Sequence, residues 1–206
     1  MMSTTKEKIL HAACRVFSRL GFNKATTQDI CDLAGVNIAA VNYHFGGKEN
    51  LYWKVWETLN EQTMEKLARL DDEPDPKERL RRYIRMRVEN VWDETDDACF
   101  SRLAHSEMGD HSPLHEKIID AFMEPKRQWF GQMIEQITGS GLDAPTRRVL
   151  GFCIQSPLIH LLEMRRRRTS RKRACFEDDK EALIETLFSF ALAGLHGFSD
   201  HGKVDQ

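Results

Sequence analysis

The stretch GVNIAAVNYHFGGKENL, residues 35–51, gathers hydrogen-bonding side chains between two glycine breaks. Asn42 brings an amide, Tyr43 a phenol, His44 an imidazole and Lys48 an ammonium, while Ala39 and Ala40 leave the backbone beside them bare. These residues make a poor core helix. They suit a helix with one face touching a polar partner. Base edges and phosphates are such a partner: an asparagine can read adenine N6/N7 or donate to a phosphate, and an alanine methyl can meet a thymine methyl. Tyr43 and His44 can hydrogen-bond phosphates from the helix end, and Lys48 adds charge at the start of the next helix.

Short helices have to hold these groups in place. In KEKILHAACRVFSRLGF, Ile9, Ala13, Val16, Phe17 and Leu20 form one apolar stripe at helical spacing, and Gly21 is placed to cap it. In TTQDICDLAGV, Thr26 and Asp29 have the spacing of a capping box, Ile30, Leu33 and Ala34 point one way, and Gly35 stops the helix after about two turns. Asn37 can cap the helix that follows, with Val41 and Phe45 at i, i+4 on its buried side. Three short helices, the last two joined by Ala-Gly-Val-Asn, make a helix-turn-helix, whose second helix enters the DNA major groove. A helical hairpin with a polar surface and no ligand is the plainer alternative. It rarely sets Ala-Ala and Asn-Tyr-His on an outward face.

The pattern FSRLGF, TTQDICDLAGV and NIAAVNYHFGGKENL resembles the tetracycline-repressor (TetR) family of bacterial transcriptional regulators over about the first 60 residues. Carried over by position, the resemblance implies that Thr27, Asn37, Ala39, Ala40, Asn42, Tyr43, His44 and Lys48 face the groove. Two positions depart from the family: Ile38 stands where lysine is frequent, and Asn42 where an aromatic is. Both departures bear on the operator sequence rather than on DNA binding. The family also implies a C-terminal helical body that dimerises through its last two helices and binds a small effector. The segment SEMGDHSPLHEKIIDAFMEPKRQWFGQMI resembles the subgroup with a CecR-like C-terminal domain.

Beyond residue 51 helical periodicity continues over 51–69, 77–94, 98–108, 113–138, 144–164 and 178–196, with kinks expected at Pro125 and Pro157. No alternating strand pattern competes. The expected fold is all-α, about nine helices, with an N-terminal helix-turn-helix domain over 3–63 (motif 26–45) and an effector-binding and dimerisation domain over 64–206. The last helix is apolar nearly all round: Leu183, Ile184, Leu187, Phe188, Phe190, Ala191, Leu192 and Leu195. It is either a monomer core helix or one covered by a second subunit.

Composition is ordinary for a soluble globular protein, and the cytoplasm is the expected place of action. Net charge is −2, but residues 1–50 hold six Lys/Arg against four Asp/Glu, a mild local excess of positive charge. The five cysteines, Cys14, Cys31, Cys99, Cys153 and Cys175, form no CxxC, so reduced thiols are expected rather than a disulfide framework or zinc site. The opening MMSTTKEK has no apolar segment of a secretory signal, and LFSFALAGL is too short to span a bilayer, so no membrane partner is expected.

Candidate sites in the body are weaker. Trp92, Phe100, His105, Phe122, Trp129 and Phe152 could line an effector pocket, although aromatics on helices are more often plain core. His111 and His115 have i, i+4 spacing for a metal, but Pro113 lies between them and a solvated loop is preferred, so neither metal nor cofactor is expected. The run RRRRTSRKR, 165–173, reads as a solvated connector rather than a second nucleic-acid contact. There is no Gly-rich phosphate loop, G-x-S-x-G or H-E-x-x-H, so an enzyme is not expected. A helical ligand-binding protein or enzyme that kept an unused helix-turn-helix is the rival.

Overall fold

The structure is a computed structural model that describes residues 4–92, 96–139, 141–166 and 179–199. Its elements are α1 (Thr5–Lys24), α2 (Thr27–Ala34), α3 (Ile38–Phe45), α4 (Lys48–Asp71), α5 (Pro76–Trp92), α6 (Asp96–Gly109), α7 (His115–Ile118), α8 (Glu124–Thr138), α9 (Ala144–Arg166) and α10 (Lys180–Ser199). A π turn, Ile119–Met123, carries α7 into α8 without a break, so the described residues form nine helical rods and no strand. The wide turn comes just before Pro125, which has no N–H for the helical ladder, and it absorbs the irregularity expected there. Helix α9 stays helical through Pro157.

The caps explain why the first helices are short. Thr26 accepts from the Asp29 N–H at 3.0 Å, and the Asp29 carboxylate accepts the Thr26 N–H at 2.9 Å, which closes the box at the start of α2. Gly35 ends α2 and Gly46 ends α3 in the left-handed conformation, with φ of 67° and 74°. A second capping box, Thr4 with Glu7, starts α1. Gly21 breaks α1 where the sequence suggested a cap: its φ of 75° and ψ of 172° are non-helical, and a short further turn runs on to Lys24. A Cβ there would meet Ser106 Oγ of α6 at 2.7 Å, so glycine serves both the backbone turn and a close approach of the two helices.

The chain divides into two compact units. The first comprises Met1–Met64 with Glu94–Glu124, the second Glu65–Asp93 with Pro125–Gln206. In the first, Ile9, Ala13, Val16 and Phe17 of α1, Ile30 and Cys31 of α2, Val41 and Phe45 of α3, and Leu51, Tyr52, Val55 and Trp56 of α4 share one core with Cys99 and Leu103 of α6, Ile118 of α7 and Phe122. Leu33 is a correction to the sequence reading: it is 50% exposed, and Cys31 takes the inward position beside Ile30. The cause is helix phase, because an eight-residue helix buries only the side that meets α1. By packing, α6 and α7 join the N-terminal helices.

In the second unit, α5 packs against both α9 and α10. Its core takes Leu80, Tyr83, Ile84 and Val88 from α5, Phe130, Met133 and Ile134 from α8, Leu150, Ile154 and Leu158 from α9, and Ile184, Phe188, Ala191 and Leu195 from α10.

Candidate nucleic-acid interface

Helix α3 is two-faced. Val41 is fully buried and Phe45 nearly so, which fixes the helix to the core one turn at a time. The opposite side carries Ala39, Asn42 and Tyr43, all exposed, and Tyr43 reaches 86%. A tyrosine so exposed gains nothing from the core of its own chain. Ala40 is half-buried beside them. Asn37 is exposed and spends its side-chain oxygen on the Ala40 N–H at 2.9 Å, so it shapes the start of α3. Its NH₂ group carries two donors that this bond does not use.

His44 is half-buried, and its ring meets that of Tyr43 edge-on at 5.0 Å. Lys48 opens α4, with its Nζ 4.2 Å from the centre of the Phe22 ring. Burial against that ring lowers the ammonium pKa. The contact restrains a flexible side chain without neutralising it, because an aromatic face is no counter-ion. Thr27 is half-buried in the first turn of α2, beside the box formed by Thr26 and Asp29. The eight residues therefore come from the start of α2, the whole of α3 and the start of α4.

Two features of this face escaped the sequence reading. Ile38, treated as a missing lysine, is itself 45% exposed and adds an apolar group beside Ala39 and Asn42. A solvent-open depression of about 570 Å³ lies next to α3, lined by Thr5, Cys31, Asp32, Gly35, Val36, Asn37 and Ala40. The aromatic end of FSRLGF was the available signal for Phe22 as the partner of Lys48.

The aromatic set read as an effector pocket is divided between the two units. The side chains of Trp92 and Phe100 lie outside the described residues. Phe122 is buried in the first unit, stacked parallel to Trp56 with centroids 5.9 Å apart. Trp129 belongs to the second unit, where its indole N–H donates to Asp71 at 3.0 Å and its ring lies 5.9 Å from Tyr83. His105 is exposed, and Phe152 is 70% exposed on α9. The reason is helix phase again: the inward side of α9 is taken by Leu150, Ile154 and Leu158.

The segment read as a solvated loop around His111 and His115 is a loop over 110–114 with His111 exposed, but Glu107 and Ser112 are buried. Glu107 is 1% exposed and accepts from Tyr52 Oη at 2.6 Å and from the Ser112 N–H and hydroxyl at 2.9 Å each, with His115 Nδ1 at 3.1 Å. The His111 and His115 rings stack at 3.6 Å. His115 thus meets the carboxylate, and His111 stacks on His115. Of the basic run 165–173, only the backbone of the first two residues falls among the described residues.

Comparison with known proteins agrees with this geometry. Residues 9–54 match the family described as bacterial regulatory proteins, tetR family. Residues 76–195 match the C-terminal domain of the HTH-type transcriptional dual regulator CecR. Among curated proteins, the chain is 34% identical over 90 residues to the HTH-type transcriptional repressor NicS of Pseudomonas putida, which is 43% of this chain and 41% of that protein. It is 36% identical over 83 residues to the HTH-type transcriptional regulator TtgR of the same species, 39% of each. These alignments span about two-fifths of the relatives' length. A solved structure of AibR in complex with isovaleryl coenzyme A and operator DNA shares the fold with a TM-score of 0.70 at 21% identity, covering 90% of this chain and 98% of that one. The chain belongs to the tetR family of bacterial regulatory proteins and carries a CecR-type C-terminal domain.

Proposed function

We propose that this protein is a ligand-responsive transcriptional repressor, not an enzyme, that binds a pseudo-palindromic double-stranded DNA operator as a homodimer and is released by a small-molecule effector. The observation that carries the reading is α3: Val41 and Phe45 anchor it, and Ala39, Asn42 and Tyr43 stand on its outward side with no core to join. Residues 3–63 form the DNA-binding domain and 64–206 the effector-binding and dimerisation domain. Asn42 reads a base edge, Ala39 and Ala40 allow close approach of the backbone, and Tyr43, His44 and Lys48 hold phosphates together with Thr27 and Asn37.

Dimerisation uses α9 and α10. Val149 and Phe152 on α9 are 59% and 70% exposed, and Phe190 and Phe198 on α10 are 69% and 40% exposed. Phenylalanines so exposed on two long helices favour cover by a second copy. Two α3 helices then enter successive major grooves about one helical turn (~34 Å) apart. The effector is held in the second unit and acts by preferring the released state by a few kcal/mol. The repressor name of NicS and the ligand and operator in the AibR structure support this reading. Its place of action is the cytoplasm.

A selection from random duplexes with the purified protein tests the proposal. The expected product is a pair of inverted half-sites whose centres lie one turn apart. Recovery of unrelated sequences at the affinity of bulk DNA would favour the rival, a helical ligand-binding protein with an idle helix-turn-helix.

A further inference from the structure

We propose that Cys99 and Cys14 form an oxidisable thiol pair, in which Cys99 attacks a hydroperoxide and Cys14 resolves the product to a disulfide that ties α1 to α6. The two cysteines sit on neighbouring helices of the same unit and in one core, Cys14 5% and Cys99 3% exposed, and Ser18, one turn beyond Cys14 on α1, reaches the Cys99 sulfur. Neither cysteine is part of the α3 face.

The surroundings of Cys99 are those of a thiolate rather than of a packing thiol. Arg102 Nη2 donates to its Sγ at 3.2 Å, and the Ser18 hydroxyl lies 3.7 Å away in a buried position. The hydrogen bond from Cys14, together with Ser18 and the Arg102 guanidinium, outweighs burial and lowers the Cys99 pKa to about 6. A cysteine that only fills the core has no use for a guanidinium donor aimed at its sulfur. Cys31 is the contrast within the same unit: it is fully buried, and burial raises its thiol pKa.

The chemistry balances with a hydroperoxide as oxidant. The Cys99 thiolate attacks the outer peroxide oxygen, the O–O bond breaks, and the departing alkoxide takes a proton to leave as an alcohol, or as water from hydrogen peroxide. Cys99 is then a sulfenic acid. Cys14 loses its proton and attacks that sulfur, the S–O bond breaks, and the hydroxide leaves as water. Two thiols and one peroxide yield one disulfide, one alcohol and one water.

The test uses the full chain, reduced, desalted and treated with hydrogen peroxide before alkylation and peptide mapping. The expected result is a Cys14–Cys99 linked peptide, the loss of two of the five thiols, and recovery of both on adding a dithiol. In Cys14→Ser the expected product is a sulfenic acid on Cys99, trapped by a 1,3-dione, with a trapping rate that levels off above about pH 7. Peroxide that oxidises the exposed Cys153 while leaving Cys14 and Cys99 as thiols overturns the proposal. So does a Cys14→Ser chain whose Cys99 stays unlabelled, or labels at a rate still climbing through about pH 8.5, where an ordinary thiol ionises. If Cys14→Ser does not fold, the wild-type map decides alone.

Discussion

Tyr52 on α4 donates its hydroxyl to the Glu107 carboxylate on α6 at 2.6 Å, and both residues are buried. The phenol cannot act as an acid here: burial first, and the hydrogen bond to Glu107 second, push its pKa far above the usual range. The bond fastens α6 to the helix that follows α3. Tyr52→Phe keeps the ring contacts with Phe17 and Phe22 but leaves Glu107 one donor short. The expected loss is about 1–3 kcal/mol in urea unfolding. A change below about 0.3 kcal/mol would mean that water or His115 replaces the phenol without cost.

The sequence made some of this legible and hid the rest. The capping box at Thr26, the cap at Asn37 and the buried pair Val41 and Phe45 follow from local spacing, and the structure has all three. Leu33 was misread because a stripe in an eight-residue helix can be phased more than one way. Glu107 looked like loop charge, since its donors come from Tyr52, Ser112 and His115, and nothing in local periodicity brings Tyr52 beside it. The same limit applies to the aromatic set: helical phase decides whether Phe152 points in or out, and the inward side of α9 is filled by aliphatic residues.

The start of α2 gives a local prediction. Thr26→Ala removes the cap and is expected to cost about 1 kcal/mol at pH 7. Asp29 makes that difference pH-dependent. The Thr26 hydroxyl first, and its N–H second, hold the Asp29 carboxyl below its ordinary pKa. Its contribution is therefore complete above the unfolded value, about 3.9, and is lost as pH falls through the lower folded value. Chemical unfolding of wild type and variant at neutral and acid pH should show the gap closing in acid.

Lys126 gives a prediction of the same slope on the alkaline side, from a group that burial makes unfavourable rather than favourable. Burial, helped by Arg87, lowers its ammonium pKa to about 7. Between that value and the unfolded value of about 10.4, the unfolded chain binds more protons than the folded one, so stability rises with pH. From pH 7 to 9 the Lys126 contribution to this rise is about 1–2 kcal/mol. Lys126→Met should remove it and raise stability at pH 7. Parallel urea titrations at the two pH values measure both effects, and an unchanged slope in the variant would refute the assignment.

The α10 surface is tested by Phe190→Glu. The side chain is 69% exposed in the single chain, so the fold should keep its melting temperature to within a few degrees. Light scattering should find monomer where the wild type is dimer, and operator affinity should fall by roughly tenfold or more as the paired half-site contacts are lost. A variant that stays dimeric would move the interface off this face.

The most direct test of the DNA-binding claim is a fluorescence anisotropy titration on duplexes from upstream of the protein's own gene, at several salt concentrations, with wild type, Tyr43→Ala, Lys48→Ala and Asn42→Ala. The account predicts tight, sequence-selective binding by the wild type with a steep salt dependence. Tyr43→Ala should weaken binding on every sequence, Lys48→Ala should do the same and lower the salt slope by about one per lost phosphate contact, and Asn42→Ala should relax base preference by about 1–3 kcal/mol at one position. If all three variants bind the operator as the wild type does, α3 is not the interface.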